Sequence, residues 1–111
     1  MKYLLLLAGD EEAENALPDA ERQRILAEHG KFAAAVGADN AYVFGAALAS
    51  SVNATTVTDD VLTDGPFAEG REQIGGIYIV EAPDLDRAIN YARQVPKSPG
   101  LRVEVRPLLE M

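Results

Sequence analysis

The sequence predicts a single α+β domain, and two patterns carry that prediction. Runs of apolar or alternating residues that are typical of strands recur along the chain, and two stretches with apolar residues at helical spacing lie between them. With 111 residues, of which 48% are hydrophobic, the chain is long enough to bury one core without disulfides or metals. We therefore expect residues 1–111 to form one domain.

The first half-domain is a strand followed by a helix. Leu4 to Leu7 is continuously apolar, which is typical of a strand that is buried on both faces. The acidic run from Asp10 to Glu14 then predicts a solvated loop. A helix is expected to begin at Pro18-Asp19 and to end at Gly37. Its apolar stripe is formed by Ile25, His29, Phe32 and Val36, with Leu26 and Ala33 beside it.

Between the half-domains the pattern predicts a strand and a hairpin. Tyr42 to Gly45 is a short apolar run, and Asn53 to Val57 with Val61 to Thr63 resembles two strands that turn at Asp59-Asp60.

The second half repeats the strand and helix order. Ile77 to Val80 predicts a strand, with a bulge or close backbone approach at Gly75-Gly76. Asp84 is the expected N-cap of a second helix that ends before Pro96. The apolar face of that helix is expected to comprise Leu85, Ala88, Ile89 and Ala92. The alternation from Leu101 to Arg106 predicts a half-exposed last strand.

This order of elements is the β-α-β-β-α-β pattern of a ferredoxin-like fold with an extra hairpin between its halves. Both helices of such a fold lie on one face of the sheet, yet two strands are apolar on both faces. Because a soluble monomer rarely exposes so large an apolar surface, we expect a homodimer in which a second copy covers the other face.

Composition excludes several classes of protein. The chain has no cysteine and one histidine, so thiol chemistry is excluded and a zinc site is disfavoured. A net charge of -8 argues against direct nucleic-acid binding. No run is long enough to span a membrane or to act as a signal peptide, and we expect a cytoplasmic protein. No nucleotide-binding motif is present, so no cofactor is expected.

A signature stretch runs from Thr63 to Gly76 and combines acids, a turn and a glycine pair. The turn at Gly65-Pro66 alone explains Asp64 as a residue that caps the turn. The run Asp64-Gly65-Pro66-Phe67 also resembles the signature of the YCII-related family, in its DGPF-domain branch. The resemblance extends from Lys2-Tyr3-Leu4-Leu5-Leu6 through Ala54-Thr55-Thr56-Val57 to Val103-Glu104-Val105-Arg106-Pro107, essentially the whole chain. It implies a dimeric α+β barrel.

His29 is the main catalytic candidate, because its unperturbed pKa lies near neutrality. A helix histidine that bonds to a backbone carbonyl is the structural alternative. The resemblance implies a functional histidine on this first helix, paired with an aspartate on the sheet. We assign that aspartate to Asp64, with Asp39 as the alternative, and expect it to orient the imidazole.

Three further residues are candidates for substrate binding. Arg71 lies where the resemblance implies a basic residue, and its guanidinium would hold a carboxylate; the alternative is loose pairing with Glu69 or Glu72. Glu69 is a second loop acid. Tyr78 is expected to direct its hydroxyl into the cleft or to the rim of the core.

Two functions follow from these residues. The first is a cofactor-free enzyme of lyase, isomerase or dehydrohalogenase type, in which His29 and Asp64 carry out acid–base chemistry on a small organic molecule. The second is a non-catalytic ligand-binding or regulatory module. The resemblance associates this second function with extracytoplasmic-function sigma factors, and a structural dimer with a vestigial cleft is a third alternative.

Overall fold

A computed structural model describes residues 1–110 of the chain. It contains six strands and three α-helices in the described residues, with one 3-10 turn at Ser51–Asn53. In chain order they are β1 (Lys2–Asp10), α1 (Glu11–Asn15), α2 (Asp19–Ala38), β2 (Tyr42–Ala47), β3 (Thr55–Val57), β4 (Leu62–Asp64), β5 (Glu72–Glu81), α3 (Leu85–Arg93) and β6 (Arg102–Pro107).

Four strands form one antiparallel sheet in the order β2-β5-β1-β6. The strands β3 and β4 pair only with each other and form a separate hairpin. The predicted α+β class is confirmed, and the topology is compatible with a ferredoxin-like fold that has a hairpin inserted between its halves.

Alternate residues of β1 face opposite sides of the sheet. Tyr3, Leu5 and Leu7 are buried in one core, because they face the two long helices. That core also contains Phe32 and Val36 from α2, Ala88 and Tyr91 from α3, and Tyr78 and Val80 from β5. The side chains that lie between them in sequence, such as Leu4 and Leu6, point to the outer face and are only partly buried.

A β-bulge interrupts the pairing of β1 with β5, as the glycine pair predicted. Leu7 pairs with Gly76, whereas Ala8 pairs with Ile74, so Gly75 is the extra residue. Gly76 also permits a close approach, since a Cβ atom there would lie 3.3 Å from the carbonyl oxygen of Ala46.

Two segments are more regular in structure than the sequence predicts. The acidic run is not a solvated loop: β1 continues to Asp10, whose side chain caps α1 by accepting a hydrogen bond from the backbone N–H of Ala13 at 3.0 Å. The second half of the signature belongs to β5, which begins at Glu72. A capping side chain and strand pairing explain both differences.

The helix termini are close to the predicted ones. The helix α2 continues one residue past Gly37 to Ala38. Asp84 caps α3 as expected, with 2.9 Å between its Oδ1 atom and the backbone nitrogen of Arg87. The predicted apolar face of α3 is partly wrong, because Leu85 is 48% exposed and Tyr91 is buried instead.

The outer face of the sheet is apolar at its centre. Cross-strand pairs place Leu4 beside Ile79 and Leu6 beside Ile77, and Phe44 of β2 beside Ile79. Phe44 is 48% exposed, so nothing within residues 1–110 covers this surface. Among those residues, no helix has the length and apolar character needed to cross a membrane.

Candidate active site

The side chain of His29 lies between α2 and the sheet, half-buried. It belongs to the stripe of α2 that buries Phe32 and Val36 further along the helix. Its Nδ1 atom is 2.7 Å from the hydroxyl oxygen of Tyr78 on β5, and the two rings are stacked with centroids 5.9 Å apart. A polar ring in an apolar stripe needs such a partner, because an unsatisfied group would cost about 1 to 3 kcal/mol.

The ring of Tyr78 is fixed by its neighbours on two sides. Phe32 packs against it from α2 with ring centroids 4.9 Å apart, and Tyr42 meets it edge-on at 6.2 Å. Gly45 lies opposite Tyr78 on β2. A Cβ atom at Gly45 would come within 2.7 Å of the Tyr78 ring, so the missing side chain leaves the space that the ring occupies.

Burial sets the protonation of both partners. It lowers the pKa of His29 below its ordinary value of 6.5. Burial, together with the neighbouring Tyr42, raises the pKa of Tyr78 above 10.0. At neutral pH the hydrogen bond therefore joins a neutral imidazole to a neutral phenol, and a neutral imidazole can accept a proton.

Two clefts meet at His29, and both also contact Leu7 and Gly75. The polar cleft has a volume of about 260 Å3 and is lined by Glu14, Asn15, Arg22, Ile25 and Ser98. The aromatic cleft has a volume of about 360 Å3 and is lined by Leu26, Ala33, Tyr42, Ala46 and Tyr78. A bound molecule in either cleft would contact the histidine.

Sequence analysis missed Glu14, which lines the polar cleft. A signal was present, because Asp10 ahead of Glu11 and Glu12 is the N-cap pattern of a helix start. That pattern would have placed Glu14 on a helix rather than in a solvated loop.

The expected hydrogen bond between Asp64 and His29 does not form within residues 1–110. Asp64 is exposed at the end of β4. The turn after it is bound to its own hairpin, through Gly65 N–H to the Ala54 carbonyl at 2.8 Å and through Thr56 Oγ1 to the Gly65 carbonyl at 2.9 Å. These bonds direct the signature turn towards β3 instead of α2.

The alternative partner, Asp39, is also occupied elsewhere. It follows α2, and its carboxylate accepts a hydrogen bond from the Tyr91 hydroxyl at 3.0 Å. The structure therefore brings together only His29 and Tyr78 of the expected site residues.

Arg71 and Glu69 lie outside both clefts. Arg71 is exposed and makes ion pairs of 3.4 Å each with Asp10 and Glu12. The alternative expectation, that Arg71 pairs with Glu69 or Glu72, is therefore wrong. Glu69 is an exposed loop residue. No cluster of three or more histidine or acidic side chains that would hold a metal ion occurs in residues 1–110.

Comparisons with known proteins give a family for the whole chain. The whole chain, residues 1–111, matches the family model of the YCII-related domain. An uncharacterised protein of Rhizobium meliloti (strain 1021) is 30% identical over 115 residues, which cover 97% of this chain and 92% of that protein. The chain belongs to the YCII-related family.

Proposed function

We propose that this protein is an acid–base enzyme in which His29 transfers a proton on a small organic molecule. The observation that carries the proposal is the 2.7 Å contact between Nδ1 of His29 and the Tyr78 hydroxyl, at the place where two clefts meet. In the proposed tautomer Nδ1–H donates to the Tyr78 oxygen, which fixes the ring and leaves the lone pair of Nε2 free for a bound molecule. The lowered pKa of His29 keeps that nitrogen available as a base near neutral pH.

This chemistry needs no cofactor. Lyase, isomerase and dehydrohalogenase reactions each include the removal of a proton, which a positioned imidazole accelerates by about 10²- to 10⁴-fold. We propose that Tyr78, rather than the expected Asp64, orients the imidazole of His29. Arg71 and Glu69 take no part, since neither lines a cleft that contains His29.

The proposed enzyme is a homodimer of the DGPF branch. The signature Asp64 to Phe67 supports the branch. The apolar outer face of the sheet supports the dimer, since Phe44 and Ile74 on it are 48% and 37% exposed. A second copy with the same face is the simplest cover for this surface.

The second candidate is a non-catalytic ligand-binding module, with the regulatory association that the family resemblance implies. The His29–Tyr78 hydrogen bond favours it in one respect, because it also satisfies a half-buried ring without any catalysis. The two functions differ in whether a bound molecule loses a proton.

Proton exchange in deuterated water distinguishes these functions without knowledge of the full reaction. The protein would be incubated with a panel of small ketones, keto acids and unsaturated lactones, and loss of their C–H signals followed by proton NMR. We expect exchange with at least one compound, and a loss of about 10²-fold or more in His29→Gln.

A matched control is Tyr42→Phe, which changes a phenol that also lines the aromatic cleft but has no contact with the His29 ring nitrogens among the described hydrogen bonds. It is expected to retain most of the exchange rate. Binding that shifts the His29 resonances without any exchange would favour the ligand-binding module instead.

A further inference from the structure

Glu14 extends from α1 to the wall of the polar cleft that also contains His29. It is half-buried, unlike its neighbour Glu12, and it forms no ion pair within residues 1–110. Glu11, one turn earlier, is used structurally, since it accepts hydrogen bonds from the N–H and hydroxyl of Ser51 at 3.0 and 2.5 Å. Glu14 has the Ser98 hydroxyl beside it instead, and that hydroxyl also lines the polar cleft.

Gly9 makes room for the carboxyl group of Glu14, which also lies near Gly75. A Cβ atom at Gly9 of β1 would lie 2.5 Å from its Oε1 atom, and one at Gly75 of β5 would lie 4.0 Å from its Oε2 atom. The carboxyl group thus lies against the backbone of β1, near the bulge of β5. Gly75 also lines both clefts beside His29.

The surroundings favour the neutral carboxyl group. Burial raises the pKa of Glu14 above its ordinary value of 4.5, and the acidic Glu11 and Asp10 raise it further. The Ser98 hydroxyl opposes this and lowers the pKa. The charged or titratable side chains across the polar cleft are Arg22 and His29, both from α2.

We propose that Glu14 is the second proton-transfer group of the site and acts from the wall of the polar cleft on the molecule that His29 deprotonates. The bound molecule would be a small carbonyl compound, with its oxygen towards Glu14 and its acidic C–H towards Nε2 of His29. This assignment rests on the proposed acid–base function of His29.

The step is balanced by these two groups alone. The imidazole takes the proton, and the electron pair of the broken C–H bond forms a carbon–carbon double bond. The π pair of the carbonyl group moves to its oxygen, which takes the proton of Glu14. The products are an enol, an imidazolium and a carboxylate, and reversal at the same or another carbon gives exchange or isomerisation.

The required protonation states predict how the exchange rate varies with pH. Neutral His29 is needed, so the rate rises with pH through the pKa of His29. Protonated Glu14 is needed, so the rate falls as the pH rises through the pKa of Glu14. The order in which the two groups titrate does not alter this bell-shaped dependence.

The test is the exchange assay on the intact protein, with Glu14→Gln and with Glu11→Gln as the matched control on the same helix. Glu14→Gln is expected to lose about 10²-fold or more in kcat with little change in KM, and to lose the falling alkaline limb. Ser98→Ala should move that limb to higher pH, because it removes the hydroxyl that lowers the pKa of Glu14. Glu11→Gln should retain both limbs and the rate, with the alkaline limb moved to lower pH because the Glu11 charge no longer raises the pKa of Glu14.

The outcomes separate this inference from the proposed function. If His29→Gln abolishes exchange while Glu14→Gln keeps the rate and the alkaline limb, the role of Glu14 is overturned and the role of His29 stands. If no panel compound exchanges, the acid–base function fails. In that case NMR titration of the Glu14 carboxyl carbon tests its assignment as a proton donor without any turnover. A titration midpoint at or below the ordinary pKa of 4.5 would overturn that assignment.

Discussion

Gly45 lies opposite Tyr78 in the pairing of β2 with β5, and the absence of a side chain at Gly45 leaves the space for the ring that binds His29. A backbone position on an edge strand therefore controls the geometry of the candidate site, although it has no contact with the imidazole itself.

Gly45→Ala is expected to destabilise the protein by about 1 to 3 kcal/mol, the usual cost of overpacking. The new Cβ atom would lie 2.5 Å from the Tyr42 hydroxyl and 2.7 Å from the Tyr78 ring, so the ring that binds His29 must shift. Denaturant melts measure the stability of Gly45→Ala, and NMR titration of His29 measures the effect on the site.

Gly37→Ala is the control, because nothing lies within 4 Å of its Cβ position and alanine stabilises a helix by about 0.5 to 1 kcal/mol. Unchanged stability and titration in Gly45→Ala would contradict the packing argument.

Tyr78→Phe is expected to lower the free energy of unfolding by about 1 to 3 kcal/mol, because it leaves Nδ1 of His29 without its partner. It should also alter the His29 titration. Asp64→Asn should leave that titration unchanged, since Asp64 is exposed on its hairpin. NMR titration of His29 in the wild type, Tyr78→Phe and Asp64→Asn checks the two statements about the titration. A shift in Asp64→Asn with none in Tyr78→Phe would show that Asp64, not Tyr78, is the partner of His29.

The lowered pKa of His29 makes stability depend on pH. Between 6.5 and the lower value in the fold, the unfolded chain binds more protons than the folded chain, so stability rises with pH in that window. His29→Gln lacks this contribution. The stability of the wild type relative to His29→Gln should therefore fall as the pH is lowered from about 8 to about 5. Denaturant melts at the two pH values measure this, and a constant difference would show that burial does not shift the histidine.

The helices and strands were predicted well because apolar periodicity, caps and turn residues are signals that depend on neighbouring residues only. The bulge at Gly75, the cap at Asp84 and the placement of Phe32 in the core each depend on a few neighbouring residues, and the structure confirms all three.

The candidate site was only half predictable, because its geometry depends on distant parts of the chain. His29 and Tyr78 are 49 positions apart, and only the packing of α2 on β5 brings them together. Asp64 was assigned from a motif, whereas the local bonds of its hairpin direct the turn away from α2. Glu14 was missed because the space for its carboxyl group depends on Gly9 of a neighbouring strand.

Phe32 provides a test of the core beneath the site. It is 5% exposed and packs on Tyr78, so Phe32→Ala should lower the free energy of unfolding by about 3 to 5 kcal/mol. Leu26, on the same helix, is 70% exposed, and Leu26→Ala should change it by less than about 0.5 kcal/mol. Equal effects of the two substitutions in denaturant melts would show that α2 does not pack as described.

The proposed dimer is tested by two neighbouring residues that face opposite sides of β5. Val80 is fully buried beneath the helices, so Val80→Asp should unfold the protein by burying an unpaired charge. Ile79 lies on the apolar outer face beside Leu4 and Phe44. Ile79→Asp should instead give a folded monomer, because Ile79 is only partly buried in the single chain and the charge would be fully buried in the interface.

Sedimentation at low micromolar concentration measures the mass, and circular dichroism reports whether each variant is folded. A stable pair would bury on the order of 1,600 Å2. Leu109→Asp is the control, since Leu109 is 86% exposed near the end of the chain and a charge there should leave the mass unchanged. A monomeric wild type would overturn the dimer, and a dimeric Ile79→Asp would show that the copies meet through a different surface.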